Sequence, residues 1–219
     1  MAASAPGRTT TRAAQAAETR QRLVDAAIQL FSDRSYEAVA VADIAKAAGV
    51  AHGLLFHYFG NKRGIYSEAV RYAAEQMNEA FAFQPGLPPL DQIRGALASH
   101  LRYLAEHRGL ALRLVLSGRG ADPQAWAIFE AGRWSALGNI GELVGVDMQH
   151  PALRMAGRAV VSAIDEATVF WLENGEPFEV PSLVNWMIEM AASAFRSAAE
   201  LDPDCGMEAA WETVFGRQS

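Results

Sequence analysis

The sequence predicts an all-α protein in which an N-terminal three-helix helix-turn-helix domain is joined to a larger helical domain. Three observations carry this. Apolar residues recur at i, i+3, i+4 and i+7 in segment after segment, and nowhere alternate as in a strand. Val41 to Lys62 reads as a helix, a glycine turn and a second short helix. Gln84 to Pro89, with three prolines and a glycine in six residues, ends one long helix and separates it from the next.

Taken in order, residues 1–17 are rich in Ala, Ser and Thr, contain no acid and offer little to pack, which predicts a disordered basic arm. Arg8 and Arg12 would let such an arm reach a minor groove or phosphates, against the plainer reading of a solvated tail. From Glu18 to Ser32 the positions Leu23, Ala26, Ala27, Leu30 and Phe31 repeat at helical spacing and predict a first helix. Arg20 and Arg22 near its start face either phosphate or solvent. Ser35 to Glu37 is the following turn.

In the second helix Val41, Ile44, Ala45 and Ala48 form one apolar stripe, with Asp43 and Lys46 opposite. Gly49 ends it, because the residue just past a helix often needs positive φ. Val50 then plugs the turn, and Leu55 and Phe59, four apart, form the buried edge of a third helix. His52, Gly53, Phe56 and His57 are left on its other faces. Two helices joined this way, the second with a free face, are the unit that sets a recognition helix in the DNA major groove.

Lys62 to about Phe83 is predicted as a long helix leaving this domain. Past the proline-rich loop, helices are predicted over Asp91 to His107, capped by Asp91, over Gly109 to Leu116, and from Asp122-Pro123 to about Val144. Two more run from Pro151 to Glu173 and from Pro181 to Glu200, on either side of Asn174 to Pro177. The domain limits read from this are 18–72 for the helix-turn-helix domain, 73–203 for the larger helical domain, and 204–219 for a tail with a short helix at Met207 to Phe215.

Composition narrows the functional classes. Of 219 residues 51% are hydrophobic, ample for a core, yet the longest uncharged run, Ala47 to Asn61, is shorter than the ~20 residues a membrane span needs. No secretory signal pattern follows Arg8 and Arg12. The single cysteine, Cys205, has no partner for a disulfide or a metal site. A cytoplasmic location is expected. The net charge of −6 hides an asymmetry: residues 1–72 hold nine Lys and Arg against six Asp and Glu, and residues 73–219 hold ten against nineteen. That is the pattern of a small DNA-facing domain on an acidic body. No HExxH, GxSxG, phosphate-loop or CxxC motif occurs, and His100 and His107 lie about 10 Å apart along a helix axis, too far to share one ion. Neither an enzyme nor a cofactor is expected.

The run Ile44-Ala45-x-x-Ala48-Gly49-Val50, followed by Gly53-x-Leu55-Phe56-x-Tyr58-Phe59-x-Asn61-Lys62, resembles the N-terminal domain of the tetracycline-repressor (TetR) family of bacterial transcriptional regulators. The resemblance extends over about Thr19 to Arg71; beyond it only the layout of helices is shared. It implies that Ala51, His52, Gly53, Leu54, Phe56, His57, Tyr58 and Lys62 face DNA, with Tyr58 and Lys62 at positions that hold phosphates. The third helix carries no Arg or Lys, so a bidentate fork on guanine is not available from it. His52 is the donor or acceptor for a base edge, Gly53 permits close approach, and Leu54 or Phe56 suits thymine methyls. The alternative for His52 and His57 is that they are ordinary surface histidines. Where relatives carry hydroxyl residues, this chain has Val39, Ala40 and Ala51, which removes helix caps and phosphate contacts; Asp43 partly compensates through the helix dipole.

The resemblance also implies a homodimer on palindromic double-stranded DNA, built on the last two long helices, and a small-molecule effector cavity in the body. Candidate lining residues are the polar and aromatic ones set in apolar helices: His100, Tyr103, Arg113, Trp126, Arg133, Trp134, Asp165, Glu166 and Trp171. Each has a plainer reading as core or solvated surface. Asp165 and Glu166 stand in an otherwise uncharged segment, and a buried acid needs a partner, either Arg113 or Arg133 or a cationic ligand. The expected function is a repressor released from its operator by a small hydrophobic or aromatic effector. Two alternatives stay open: a DNA-bound regulator of the same fold controlled by a protein partner, and an enzyme using a pocket carboxylate.

Overall fold

The computed structural model describes residues 7–109, 111–112 and 123–215. Among these there are helices and no strands. In order they are α1 (Gly7–Asp33), α2 (Val41–Ala47), α3 (His52–Phe59), α4 (Lys62–Ala80), α5 (Pro89–Glu106), α6 (Pro123–Val144), α7 (Pro151–Glu173), α8 (Val180–Leu201), a single 3-10 turn (Pro203–Cys205) and α9 (Met207–Phe215). The chain divides into two compact units, with the boundary inside α4 between Ala73 and Ala74. The helix expected over Gly109 to Leu116 falls largely outside the described residues.

The first unit is a small core enclosed by α1 to α4. Leu23, Ala27 and Phe31 of α1 meet Ile44 and Ala48 of α2, Leu55 of α3, and Ile65 and Ala69 of α4. Val39, just before α2, is buried at 1% exposure in this cluster. Phe31, Tyr36 and Tyr66 make a three-ring group, with centroids 4.9 Å apart in both edge-on pairs. Such contacts add about 0.5–1.5 kcal/mol each beyond area burial.

Two glycines are required by geometry. Gly49 takes φ +64° at the α2–α3 turn, a region side-chain-bearing residues enter only under strain. At Gly64 a Cβ would stand 2.0 Å from the Phe59 carbonyl oxygen, so the end of α3 and the first turn of α4 approach closely because that side chain is missing. Asn61 fixes the same junction by accepting from the Gly64 amide at 2.9 Å, which caps α4.

The structure corrects the sequence reading in three places. Residues 7–17 are helical, so α1 starts well before Glu18. The segment is alanine-rich and free of breakers after Gly7, and adding turns to an already nucleated helix is easy even without a buried face. Asp91 does not cap α5: Pro88 holds the cap position without a side-chain bond, and Asp91 pairs with Arg94 at 3.2 Å. Arg20 is not free for phosphate, since it pairs with Glu68 and lies 5.3 Å over the Phe59 ring. Residues 207–215 form a short helix packed on the body, with Ala210 buried.

In the second unit α7 and α8 pack side by side. Leu153, Val160, Val169 and Leu172 of α7 are buried, as are Leu183, Val184, Met187 and Ile188 of α8. Small residues permit close approach: a Cβ on Gly157 would sit 3.2 Å from Leu137 of α6. No helix among the described residues is long and apolar enough to cross a membrane.

Candidate functional site

Two regions carry chemistry, one in each unit. In the first, α3 is held to the core by Leu55 alone among its fully buried residues. Ala51, His52, Gly53, Phe56 and His57 are exposed, and Leu54 and Tyr58 are half-buried. Nothing stands within 4 Å of a Cβ built on Gly53, so that face is open. The His52 and Phe56 rings, one turn apart, meet edge-on at 5.1 Å. Phe56 is 45% exposed, a large apolar surface that helix packing leaves in solvent.

Neither helix of the motif has a side-chain cap. Ala40 and Ala51 hold the cap positions of α2 and α3 in extended conformation, and both leave the first amides without a side-chain acceptor. Those amides therefore point outward as donors suited to an anion. Lys62 lies 4.5 Å over the Tyr36 ring and donates to the Glu37 carbonyl at 3.3 Å, which ties α4 to the turn before α2. Its ammonium remains at the surface of the same unit. Arg71 and Arg20 converge on Glu68, and these guanidinium bonds, led by Arg71, hold the Glu68 carboxyl below the usual range.

In the second unit a cavity of about 240 Å³ opens among α4, α5, α6, α7, α8 and α9. Its walls are mostly apolar. Met77 and Phe81, Leu97, Ile140, Ile164 and Phe195 illustrate the lining, and Trp211 contributes from α9. The polar part is small: Asn78, His100, Arg133, Asp165 and Thr168. Thr168 is already satisfied, donating to the Ile164 carbonyl at 2.8 Å.

Arg133 pairs with Asp165, and with Glu130 at 3.3 Å. Its guanidinium carbon lies 4.5 Å over Phe129 and 5.0 Å over Trp126. The partner expected for Asp165 is thus Arg133; Arg113 lies outside the described residues. His100 meets the Phe81 ring edge-on at 5.9 Å. Burial away from water pushes the His100 pKa down, opposed by a bond to the Met77 carbonyl and aided by the Arg133 charge, so the ring is neutral.

Of the residues expected around an effector, the structure brings His100, Arg133 and Asp165 to one cavity, sets Trp126 and Trp134 in a hollow that shares Arg133 and Asp165 with it, and leaves Tyr103, Glu166 and Trp171 out of its lining. Trp126 and Trp134 line a smaller hollow beside it with Glu130 and Arg158. Tyr103 stacks on His107 at 4.2 Å, away from the cavity. Glu166 points to solvent, because a helix turns its neighbours about 100° apart and Asp165 takes the inward place. Trp171 is 2% exposed and its indole N–H donates to the Phe178 carbonyl at 2.8 Å; it is a core residue bracing the α7–α8 connection. The sequence reading misses Met77 and Asn78 at the end of α4, Phe81 just past it, and Trp211. The amphipathic spacing of Met207, Ala210, Trp211 and Val214 was the one available signal for the last. Among the described residues no group of three or more His, Cys, Asp or Glu is placed to hold a metal ion.

Comparisons with known proteins agree with this arrangement. Residues 23–69 match the family model described as bacterial regulatory proteins, tetR family. The HTH-type transcriptional regulator BetI of Stenotrophomonas maltophilia is 28% identical over 152 residues, covering 67% of this chain and 77% of the relative. A tetR-family transcriptional regulator from Streptomyces coelicolor superposes with a TM-score of 0.77 at 24% identity, over 88% of this chain and 86% of that one. The transcriptional regulator FadR from Bacillus subtilis, solved in complex with stearoyl-CoA, superposes with a TM-score of 0.64 at 24% identity, over 80% and 98% of the two chains. At these identities the solved structures establish the fold.

Proposed function

Because the chain belongs to the TetR family of bacterial regulatory proteins and is a DNA-binding transcriptional regulator of that family, we propose that it acts as a homodimeric repressor, released from a palindromic operator when a small hydrophobic molecule fills the cavity. The observation that carries this is the cavity itself: it is mostly apolar, and part of its wall is Met77 and Asn78 of α4, the helix that begins at Lys62 beside the DNA-facing motif. A ligand that fits one arrangement of this wall better than another biases the pose of α4. It shifts DNA affinity only by its difference in affinity for the two arrangements. That FadR of Bacillus subtilis was solved with stearoyl-CoA supports a hydrocarbon-bearing effector.

The dimer rests on a second observation. Met155 and Phe170 of α7 and Trp186 and Leu201 of α8 are more than half exposed on helices that otherwise pack together. Exposed apolar side chains on neighbouring helices support an interface there. A two-fold pair of recognition helices then matches two half-sites one helical turn apart, about 34–36 Å.

In this reading Ala51, His52, Gly53, Leu54, Phe56 and His57 face the major groove, and Tyr58 and Lys62 hold phosphates. His52 and Phe56 read base edges and thymine methyls. Control by a protein partner is the second reading, and the same exposed apolar residues favour it. Asp165, the carboxylate an enzyme would use, is engaged by Arg133, and the relatives are named as regulators.

The test is a titration of an operator complex, at fixed salt, with hydrophobic ligands of increasing chain length. Release of DNA at ligand concentrations that also raise the unfolding temperature supports a ligand-released repressor. Stabilisation without release points to control by other means.

A further inference from the structure

The part of the cavity between α6 and α7 is bounded at two places. At one, Arg133 of α6 pairs with Asp165 of α7. At the other, Met148 of the connection between the two helices turns back toward both. A Cβ built on Gly141 of α6 would stand 2.6 Å from the Met148 Cγ, and one built on Gly157 of α7 would stand 3.0 Å from the Met148 Cε. Two missing side chains thus leave the room that the methionine fills. Met148 lines the cavity and is 5% exposed.

Arg133 to Gly141 and Gly157 to Asp165 are both intervals of eight residues. Along either helix the two bounds are therefore about 12 Å apart, at about 1.5 Å per residue. On these helices the lining between them is apolar: Ala136, Leu137 and Ile140 of α6, and Val160, Val161 and Ile164 of α7. The connection itself is pinned on both sides of Met148. The Val146 amide donates to the Gly141 carbonyl at 2.9 Å, and the Gln149 amide donates to Asp147 Oδ1 at 2.9 Å. Methionine is by nature a flexible gap-filler; here the backbones at Gly141 and Gly157 confine it at Cγ and Cε. It also belongs to a buried cluster with Leu137, Leu153, Ala198 and Cys205.

On the reading of this cavity as an effector site, we propose that Met148 is the stop that sets how long a hydrocarbon chain the cavity accepts. A polar head is kept at the Arg133–Asp165 end, because the α6 and α7 walls toward Met148 offer it no partner. An extended chain advances about 1.2 Å per bond, a third of one residue's reach, so about ten bonds fit between that end and Met148. Up to this length each added methylene exchanges water for apolar wall, a gain of about fourfold in affinity. Beyond it the next methylene meets the Met148 side chain and gains nothing.

The test uses the full-length protein and the straight-chain alcohols from hexan-1-ol to tetradecan-1-ol. Binding is measured by titration calorimetry, with protein added to the sparingly soluble longer members. Affinity is expected to rise about fourfold per methylene up to about ten carbons and then to level off or fall. Met148→Ala, which removes Cγ, Sδ and Cε from the stop, is expected to move that break about two to three carbons longer. Met148→Leu preserves core volume better and is expected to move it by about one carbon, so the stop is tested even if the alanine variant folds poorly. Affinity that keeps rising through tetradecan-1-ol in the parent overturns the stop while leaving a hydrophobic effector site standing. A break that stays in place in either folded variant overturns the role of Met148. If no alcohol binds, the effector reading of the cavity fails, and this inference with it.

Discussion

Arg133 of α6 pairs with Asp165 of α7 at the cavity wall, where the two side chains are 12% and 30% exposed. One turn before Arg133, Glu130 takes the same guanidinium and also meets Arg158 at 3.5 Å. Four charges therefore balance at this part of the cavity wall. Removing one partner of a buried pair costs about 3–5 kcal/mol; here Glu130 remains, and Asp165→Ala is expected to destabilise by about 1–3 kcal/mol. Adding Arg133→Met should recover part of that loss, because the uncompensated charge goes with it. Urea unfolding of the two single variants and the double variant measures the coupling, and strict additivity would show that the pair contributes nothing as a pair.

Gly64→Ala is expected to be severe. The new methyl would stand 2.0 Å from the Phe59 carbonyl oxygen, a backbone atom that cannot rotate away. Overpacking of this kind costs typically 1–3 kcal/mol and sometimes more, and here about 2 kcal/mol or more is expected, with loss of DNA binding. Thermal unfolding followed by helical circular dichroism checks it. A variant as stable as the parent would mean that the α3–α4 junction yields freely.

Ala40→Ser and Ala51→Ser should each stabilise the first unit by about 1 kcal/mol, since both positions already have the extended backbone of a cap (ψ 145° and 135°) and lack only the oxygen. They should also tighten DNA binding if the new hydroxyls reach phosphate. An unfolding midpoint that does not move would show that water already serves those amides.

Much of this was legible in the sequence, and the failures have physical causes. Leu23, Ile44 and Leu55 are legible as core from spacing alone because each sits in a stripe with one possible inward face. The bounds of α7 follow from Pro151 and the Asn174-Gly175 stop in the same way. Local pattern could not place the cavity, whose lining comes from six helices at once. Trp171 and Asp165 illustrate the limit: both are unusual residues on α7, but only the packing of the neighbouring helices decides that the tryptophan is core and the acid reaches the cavity. Gly64 is not legible for a related reason, since its role depends on a carbonyl five residues earlier.

The burial of His100 gives stability a pH dependence. Its pKa is lower in the folded protein than the ordinary 6.5, so the unfolded chain binds the extra proton first. Stability is then fully present above about 6.5 and declines as the pH falls below it toward the folded value. His100→Gln should flatten that decline in the difference between variant and parent, measured by urea unfolding from pH 8 to pH 5. Identical slopes would show that His100 is not shielded from solvent.

His52→Ala and Lys62→Ala separate reading from holding. The first is expected to change which operator is preferred, with each lost base contact worth about 1–3 kcal/mol. The second should weaken every sequence alike and reduce the salt slope by about one. Equal losses from both on all sequences would remove His52 from base reading.

The central claim is sequence-specific binding by a dimer whose recognition helix carries no Arg or Lys. The most direct measurement is selection of bound duplexes from a random pool with the full-length protein at a fixed salt concentration. The account predicts a palindrome whose half-sites are one helical turn apart and rich in thymine where Phe56 and Leu54 would lie. Recovery of no common sequence, with binding that only tracks salt, would contradict it.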